Sequence, residues 1–200
     1  MNKKRALCIV AHPDDETIWM GGMILKNLEL KWTIFSLCRK SDKDREPKFK
    51  KVCENYRAKP IICNLDDELL KPIEIKKITN LINNKITIKN YDYIFTHGKN
   101  GEYGHIRHKE IHKAVKMLVK NNKLKCKKLY FFSYIPGNEI APHNYKLKIP
   151  IADKNSDLVI KLNENEYKTK VNIIKNIYGF NEGIFETIAC KKMEAFNLLK

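Results

Sequence analysis

The sequence predicts an α/β fold with a mostly parallel sheet covered by helices on both faces. Three observations carry this: short runs that are apolar throughout instead of alternating, amphipathic stretches between them, and glycine, proline or charged residues at the junctions. Ala6 to Val10 is the first strand, and the apolar positions from Ile18 to Leu28 predict the first helix. Trp32 to Cys38 follows as a strand, Phe49 to Tyr56 lies in a second helix, and Ile61 to Asn64 is a short third strand. Ile73 to Leu81 has helical spacing, Tyr91 to Thr96 is a fourth strand, Ile106 to Val119 a helix and Leu129 to Tyr134 a fifth strand. Pro136, Gly137, Pro142 and Pro150 then indicate a loop-rich stretch. Leu158 to Leu162 is expected to be a strand and Glu164 to Ile177 a helix. No repeat or low-complexity linker divides the 200 residues, so a single domain over residues 1–200 is expected.

Composition narrows the function. With 43% hydrophobic and 31% charged residues the chain has the make-up of a soluble globular protein. No apolar run reaches the ~18 residues that span a bilayer. The basic start Met1-Asn2-Lys3-Lys4-Arg5 precedes an apolar stretch too short for a signal peptide, which runs straight into His12 and three acids. It is read as a buried strand of a cytoplasmic protein. None of the six cysteines forms a Cys-x-x-Cys pair, which argues against a zinc finger, and their places in strand-like runs argue against a disulfide scaffold. The net charge of +16 raises nucleic-acid binding as a possibility. However, only five of the 39 basic residues are arginine, and the lysines are spread along the chain without interleaved aromatics. A nucleic-acid partner is therefore disfavoured, whereas electrostatic attraction of an anionic small-molecule substrate is not. The composition leaves a homo-oligomer open.

In a parallel sheet the ligand sits beyond the carboxyl ends of the strands. After the first strand a nucleotide-binding fold would need a glycine-rich loop to approach phosphate. Here the loop reads Ala11-His12-Pro13-Asp14-Asp15-Glu16, which repels phosphate and attracts a cation. His12 and Asp15, three residues apart, can aim at one point, while Asp14 projects elsewhere and is free to face a bound water. An imidazole and a carboxylate suit zinc, which takes three protein ligands at catalytic sites and leaves a fourth position open. The same acids could simply complement a helix dipole, but three of them behind a histidine at a strand end favour the metal. After the fourth strand come Thr96-His97 and then Gly101-Glu102-Tyr103-Gly104-His105-Ile106-Arg107-His108, with His105, His108 and His112 on one helical face. Spacing alone leaves two arrangements here: His108 and His112 as a chelating pair, or one ligand with one acid catalyst.

Together, Ala11-His12-Pro13-Asp14-Asp15-Glu16 and Phe95-Thr96-His97 with Gly101-Glu102-Tyr103-Gly104-His105-x-x-His108 resemble the two motifs of the PIG-L/LmbE family of zinc-dependent N-acetylglucosaminyl deacetylases. The resemblance spans roughly the first two thirds of the chain. It implies a Rossmann-like three-layer sandwich, Zn2+ or another divalent ion held by His12, Asp15 and His108, Asp14 as general base and His105 as the acid that protonates the leaving amine. The expected substrate is an N-acylated amino sugar. Arg45 resembles a substrate-contacting arginine of the family, and His97 and Glu102 are taken with it as substrate-binding candidates. The chain departs from the family in three places. Many members carry Pro-Asp between the two histidines, where this chain has Ile106-Arg107. The loop after the second strand reads Cys38-Arg39-Lys40-Ser41-Asp42 instead of a Thr-x-Gly-Glu type, and the segment after Pro136 matches no family signature. The competing reading is a non-enzymatic metal- or nucleic-acid-binding protein on the same scaffold.

Overall fold

A computed structural model describes residues 3–142 and 144–200; Met1 and Asn2 of the basic start lie outside the described residues. Five parallel strands form the body of the sheet: β1 (Arg5–Val10), β2 (Lys31–Ser36), β3 (Lys59–Ile62), β4 (Asn90–Thr96) and β5 (Lys125–Phe132). They lie in the order β3-β2-β1-β4-β5, so that β1 is flanked on both sides. Helices α1 (Asp15–Leu25), α2 (Arg45–Asn55), α3 (Ile75–Lys85) and α5 (Ile106–Lys120) connect them, with the single turn α4 (Gly101–Gly104) ahead of α5.

Successive side chains of a strand point to opposite faces, and β1 shows why its run is apolar throughout. Ala6, Cys8 and Val10 join one core with Trp19 and Ile24 of α1 and Phe49 and Val52 of α2. Leu7 and Ile9 join a second core with Ile78 and Ile82 of α3 and Ile111, Val115 and Leu118 of α5. This is the three-layer α/β arrangement expected from the sequence, and the strands fall close to their expected positions.

Differences concentrate after residue 132. The stretch marked by prolines is a β-hairpin, β6 (Tyr134–Ala141) with β7 (Asn144–Ala152), in a two-stranded sheet of its own. Pro136 and Pro150 face each other in its register, and the pairing shifts between Pro136 and Ile140. Proline is tolerated because a ribbon of two strands is all edge. Strand β8 (Leu158–Lys161) falls where expected, whereas β9 (Met193–Leu198) does not correspond to any expected element. β9 pairs antiparallel with both β5 and β8, so the sheet has seven strands. The helix expected from Glu164 to Ile177 is α6 (Glu164–Asn172), opened by an Asn163–Glu166 capping box, followed by a π-helical turn at Ile173–Ile177. A short α7 (Phe185–Ala189) comes before β9.

The first helix begins at Asp15, three residues earlier than expected, because the acids that look like loop residues form its first turn. It also breaks at Met20, whose φ of −149° is not helical. The amides freed near the break donate to Glu194 of β9: Gly22 N–H at 2.7 Å and Met23 N–H at 2.9 Å. The Lys170 ammonium of α6 sits 2.7 Å from the same carboxylate, and both side chains are fully buried. Among the described residues no helix is long and apolar enough to cross a membrane.

Removing one member of a buried ion pair strands the other charge, which costs about 3–5 kcal/mol. Lys170→Ala is therefore expected to destabilise the fold by about 3–5 kcal/mol in urea unfolding, well beyond the effect of replacing the exposed Lys168.

Candidate metal centre and active site

β1 ends at Val10, and the next turn carries an unusual backbone. Asp14 has φ of 123°, a conformation that costs a non-glycine residue of order 1–3 kcal/mol and is found at functional sites. Three hydrogen bonds hold it: its amide donates to Glu16 Oε2 at 3.1 Å, and its carbonyl accepts from Thr17 and Ile18 at 2.8 Å each. Glu16 is buried, accepts from Thr17 and Tyr178, and burial raises its carboxyl to about 7. The turn directs Asp15 inward and Asp14 toward an open cavity of about 350 Å³.

Asp15 is the centre of the cluster. Its Oδ2 lies 3.2 Å from His12 Nδ1 and 3.4 Å from His108 Nε2, and the two imidazole atoms are 3.3 Å apart. Three donors around a tetrahedral zinc with bonds near 2.0–2.1 Å would sit about 3.3 Å from one another. The His12, Asp15 and His108 donor atoms therefore match a tetrahedral ion, and His12 and Asp15 also border the cavity.

The remaining atoms of these residues are engaged as second partners of metal ligands usually are. His12 Nε2 meets Asp67 Oδ2 at 2.9 Å, His108 Nδ1 meets Glu102 Oε2 at 2.5 Å, and the Trp19 indole donates to Asp15 Oδ1 at 2.9 Å. Burial alone would lower the two imidazoles, yet Asp15 and Asp67 hold His12 up to about 9, and Asp15 and Glu102 hold His108 up to about 10. These partners stabilise positive charge at the point where the three donors meet.

Three other triads also converge: Asp15 with His97 and His108, His12 with Cys38 and Asp67, and His12 with His105 and His108. In the first, His97 is already committed on both nitrogens: Nε2 accepts from Ala11 N–H at 2.9 Å and Nδ1 donates to Glu102 at 2.8 Å. In the second, burial raises the Cys38 thiol well above its ordinary value, and His12 would have to use Nε2, the nitrogen that meets Asp67.

Sequence-based assignments divide as follows. Asp14, His105 and Arg45 line the cavity with His12 and Asp15. Burial, then the neighbouring Asp15, raises the Asp14 carboxyl well above the usual carboxylate range. Arg45 Nη1 lies 3.2 Å from Asp14 Oδ2, and its guanidinium stacks over Phe180 at 4.2 Å. His97 and Glu102 do not reach the cavity wall and are corrected from substrate contacts to buried supports. His97 is fully buried and Glu102 nearly so, and Glu102 bonds His97, His108 and Gly98 N–H. Gly98 is required there, since a Cβ would come within 2.4 Å of the Phe132 carbonyl. His112 turns away from the cluster, donating from Nδ1 to the His97 carbonyl at 2.9 Å and packing on Phe131.

His105 Nδ1 is enclosed without a partner, so Nε2 is the ring nitrogen that can meet a substrate. Burial, with His108 and His12 beside it, pushes this imidazole down to about 3. Three groups that the sequence-based expectations did not include complete the walls. Tyr103 and Phe185 pack edge to face at 4.8 Å, and Asp67 arrives from the loop after β3. The Asp66-Asp67-Glu68 run directly after a strand was the available signal for that loop. The cavity is walled by Asp14, Asp15, Asp42, Asp67 and Glu186 with Arg39, Arg45, His12 and His105 among them, so the chain's positive charge is not focused here.

Residues 7–119, both motif segments included, match the family described as PIG-L, GlcNAc-PI de-N-acetylase. The chain belongs to the PIG-L family. An uncharacterized protein of Acanthamoeba polyphaga mimivirus is 26% identical over 194 residues, covering 87% of this chain and 82% of the relative. Among solved structures, the N,N'-diacetylchitobiose deacetylase of Pyrococcus horikoshii superposes with a TM-score of 0.66 at 15% identity, over 99% of this chain and 84% of that one. GalB of Pseudomonas putida, a 4-carboxy-2-hydroxymuconate hydratase, superposes with 0.63 at 13% identity, over 98% and 95%. At these identities the likeness is one of fold.

In this PIG-L domain, His108→Ala is expected to abolish stoichiometric zinc binding, whereas His112→Ala retains it. Metal content after dialysis of the two variants decides between the arrangements that helical spacing left open.

Proposed function

We propose that this PIG-L family protein hydrolyses the amide of an N-acylated amino sugar, removing an acyl group such as acetyl, with a divalent ion held by His12, Asp15 and His108. The observation that carries the proposal is the near-equilateral set of donor atoms at 3.2, 3.3 and 3.4 Å, two of them on imidazoles backed by carboxylates. Two histidines and a carboxylate suit zinc, though mixed nitrogen and oxygen donors also accept iron or manganese. When bound, such an ion lowers the pKa of water toward ~7 and polarises an amide carbonyl.

The chain's own residues supply the rest. Asp14 faces the cavity with its carboxyl raised above the usual range, which suits a base that takes a proton from the attacking water. Arg45 keeps that carboxylate in place and is itself fixed by Phe180. An amine leaves only when protonated, and His105 Nε2 is the donor positioned to hydrogen-bond the developing oxyanion and to protonate the nitrogen. Its ring is neutral at rest, so the proton it gives the amine is the one Asp14 has taken from the attacking water, drawn to it as negative charge grows on the attacked carbonyl. Tyr103 and Phe185 offer faces for the apolar side of a sugar ring, while Arg39, Asp42 and Glu186 offer partners for its hydroxyls. The hydratase on the same fold means that the donor set, and not the architecture, distinguishes amide hydrolysis from other chemistry. The six unpaired cysteines suit a reducing compartment such as the cytoplasm.

Zinc-loaded protein is expected to release acetate from N-acetylglucosamine derivatives, and absence of release across such a panel would overturn the proposal. Asp14→Asn should lower kcat about a hundredfold to ten-thousandfold with little change in bound zinc. Undiminished turnover in that variant would remove Asp14 from the role of base.

A further inference from the structure

Between His105 and His108 stands Arg107, which is fully buried. A buried guanidinium must find acceptors for its donors, and this one finds them in the β3–α3 loop. Nε donates to the Asp66 carbonyl at 2.5 Å and Nη2 to the Lys71 carbonyl at 2.8 Å. Nη1 donates to Glu110 Oε2 at 2.6 Å, and Glu110 Oε1 in turn accepts the Ile73 amide at 2.7 Å. Asp66, Lys71 and Ile73 are thus tied to the first turns of α5, the helix that carries His108. Between the ties stands Asp67. Its Oδ2 accepts from His12 Nε2 at 2.9 Å, and its Oδ1 is buried without a hydrogen-bond partner, 3.9 Å from His105 Nε2.

We propose that Asp67 is the positioning residue for His12 and His105, and that Arg107 positions Asp67 by clamping its loop. Asp67 keeps the proton of His12 on Nε2, which leaves the Nδ1 lone pair directed at Asp15 and His108. Its free oxygen can hold the single hydrogen of His105 Nε2 until a substrate takes that hydrogen over. The orienting carboxylate is supplied by the loop after β3, and the arginine between the two histidines is what holds that loop. For His105 this rests on the deacetylase reading; for His12 it does not.

The test is zinc affinity of the full chain, measured by competition with a chromophoric chelator, for Asp67→Asn, Arg107→Lys and the double variant. A carboxylate behind a metal-binding histidine changes affinity by about ten- to a hundredfold. Asp67→Asn should therefore weaken zinc binding about ten- to a hundredfold, while Glu68→Gln, which removes a neighbouring exposed charge, leaves it unchanged. Arg107→Lys keeps the charge but loses the fork that reaches two carbonyls. It should speed amide hydrogen exchange across residues 66–73 and weaken zinc binding. The double variant should bind zinc about as Asp67→Asn alone does, because the two residues act through one contact. Zinc affinity unchanged in Asp67→Asn, equal loss in Glu68→Gln, or fully additive losses in the double variant would each overturn the proposal. If Arg107→Lys proves misfolded by circular dichroism, the Asp67→Asn and Glu68→Gln pair still decides it for His12. In turnover, Asp67→Asn should lower kcat at saturating zinc while KM stays within about twofold, because Asp67 acts through His105. A protein that shows this zinc pattern but hydrolyses no amide would refute the deacetylase reading and leave the positioning of His12 standing.

Discussion

A single carboxylate organises the active end of this molecule. Asp15 is buried beneath the first turn of α1, where an ionised group is costly unless neighbours compensate it. The compensation comes from three directions: the His12 amide and imidazole on its own loop, His108 from the start of α5, and the Trp19 indole one turn along α1. Burial would raise its pKa, but His108 and His97 hold it well below the usual range. Each of those histidines needs an anion behind it, and Glu102 serves both. The positive φ of Glu102 and the close packing at Gly98 follow from fitting that carboxylate under two rings. Alternation of acid and imidazole lets so many ionisable groups share one interior.

Much of this was legible in the sequence because the relevant signals are local. Apolar runs reveal strands buried on both faces, so β1, β2, β4 and β5 emerge within a few residues of their ends. The His12-Pro13-Asp14-Asp15 turn and the histidine stripe of α5 also lie in short stretches, and their convergence follows from the rule that ligands gather at the carboxyl edge of a parallel sheet. What failed to show depends on distance. Strand β9 pairs with residues some 60 positions away, and its sequence is too short to distinguish itself. The β6–β7 hairpin was hidden by prolines that exclude a central strand but not a ribbon. His97 and Glu102 were placed against the substrate because motif membership does not reveal depth; only packing shows that they stand behind His108.

The comparison with solved structures separates two kinds of likeness. A deacetylase and a hydratase both share this sheet and its flanking helices. What is common is the scaffold that brings the ends of β1 and β4 together, and what varies is the chemistry placed on those ends. The family match covers β1 through nearly all of α5, which is the part that builds the donor cluster. The residues after the match add the parallel strand β5, two antiparallel strands, a hairpin and two helices, and contribute Phe185 and Glu186 to the cavity wall.

The place of β1 in the sheet has a consequence for how the molecule is made. It is the first strand in sequence yet the middle one of the five parallel strands, pairing with β2 but needing β4, after which His97 meets Ala11 across 86 residues. Loop closure over such a span must precede the contacts that reward it. During synthesis the acidic turn after β1 therefore waits, hydrated and without its imidazole partners, until α5 has emerged. The cluster needs both β1 and α5, so an intact cluster reports that β1 and β4 have come together.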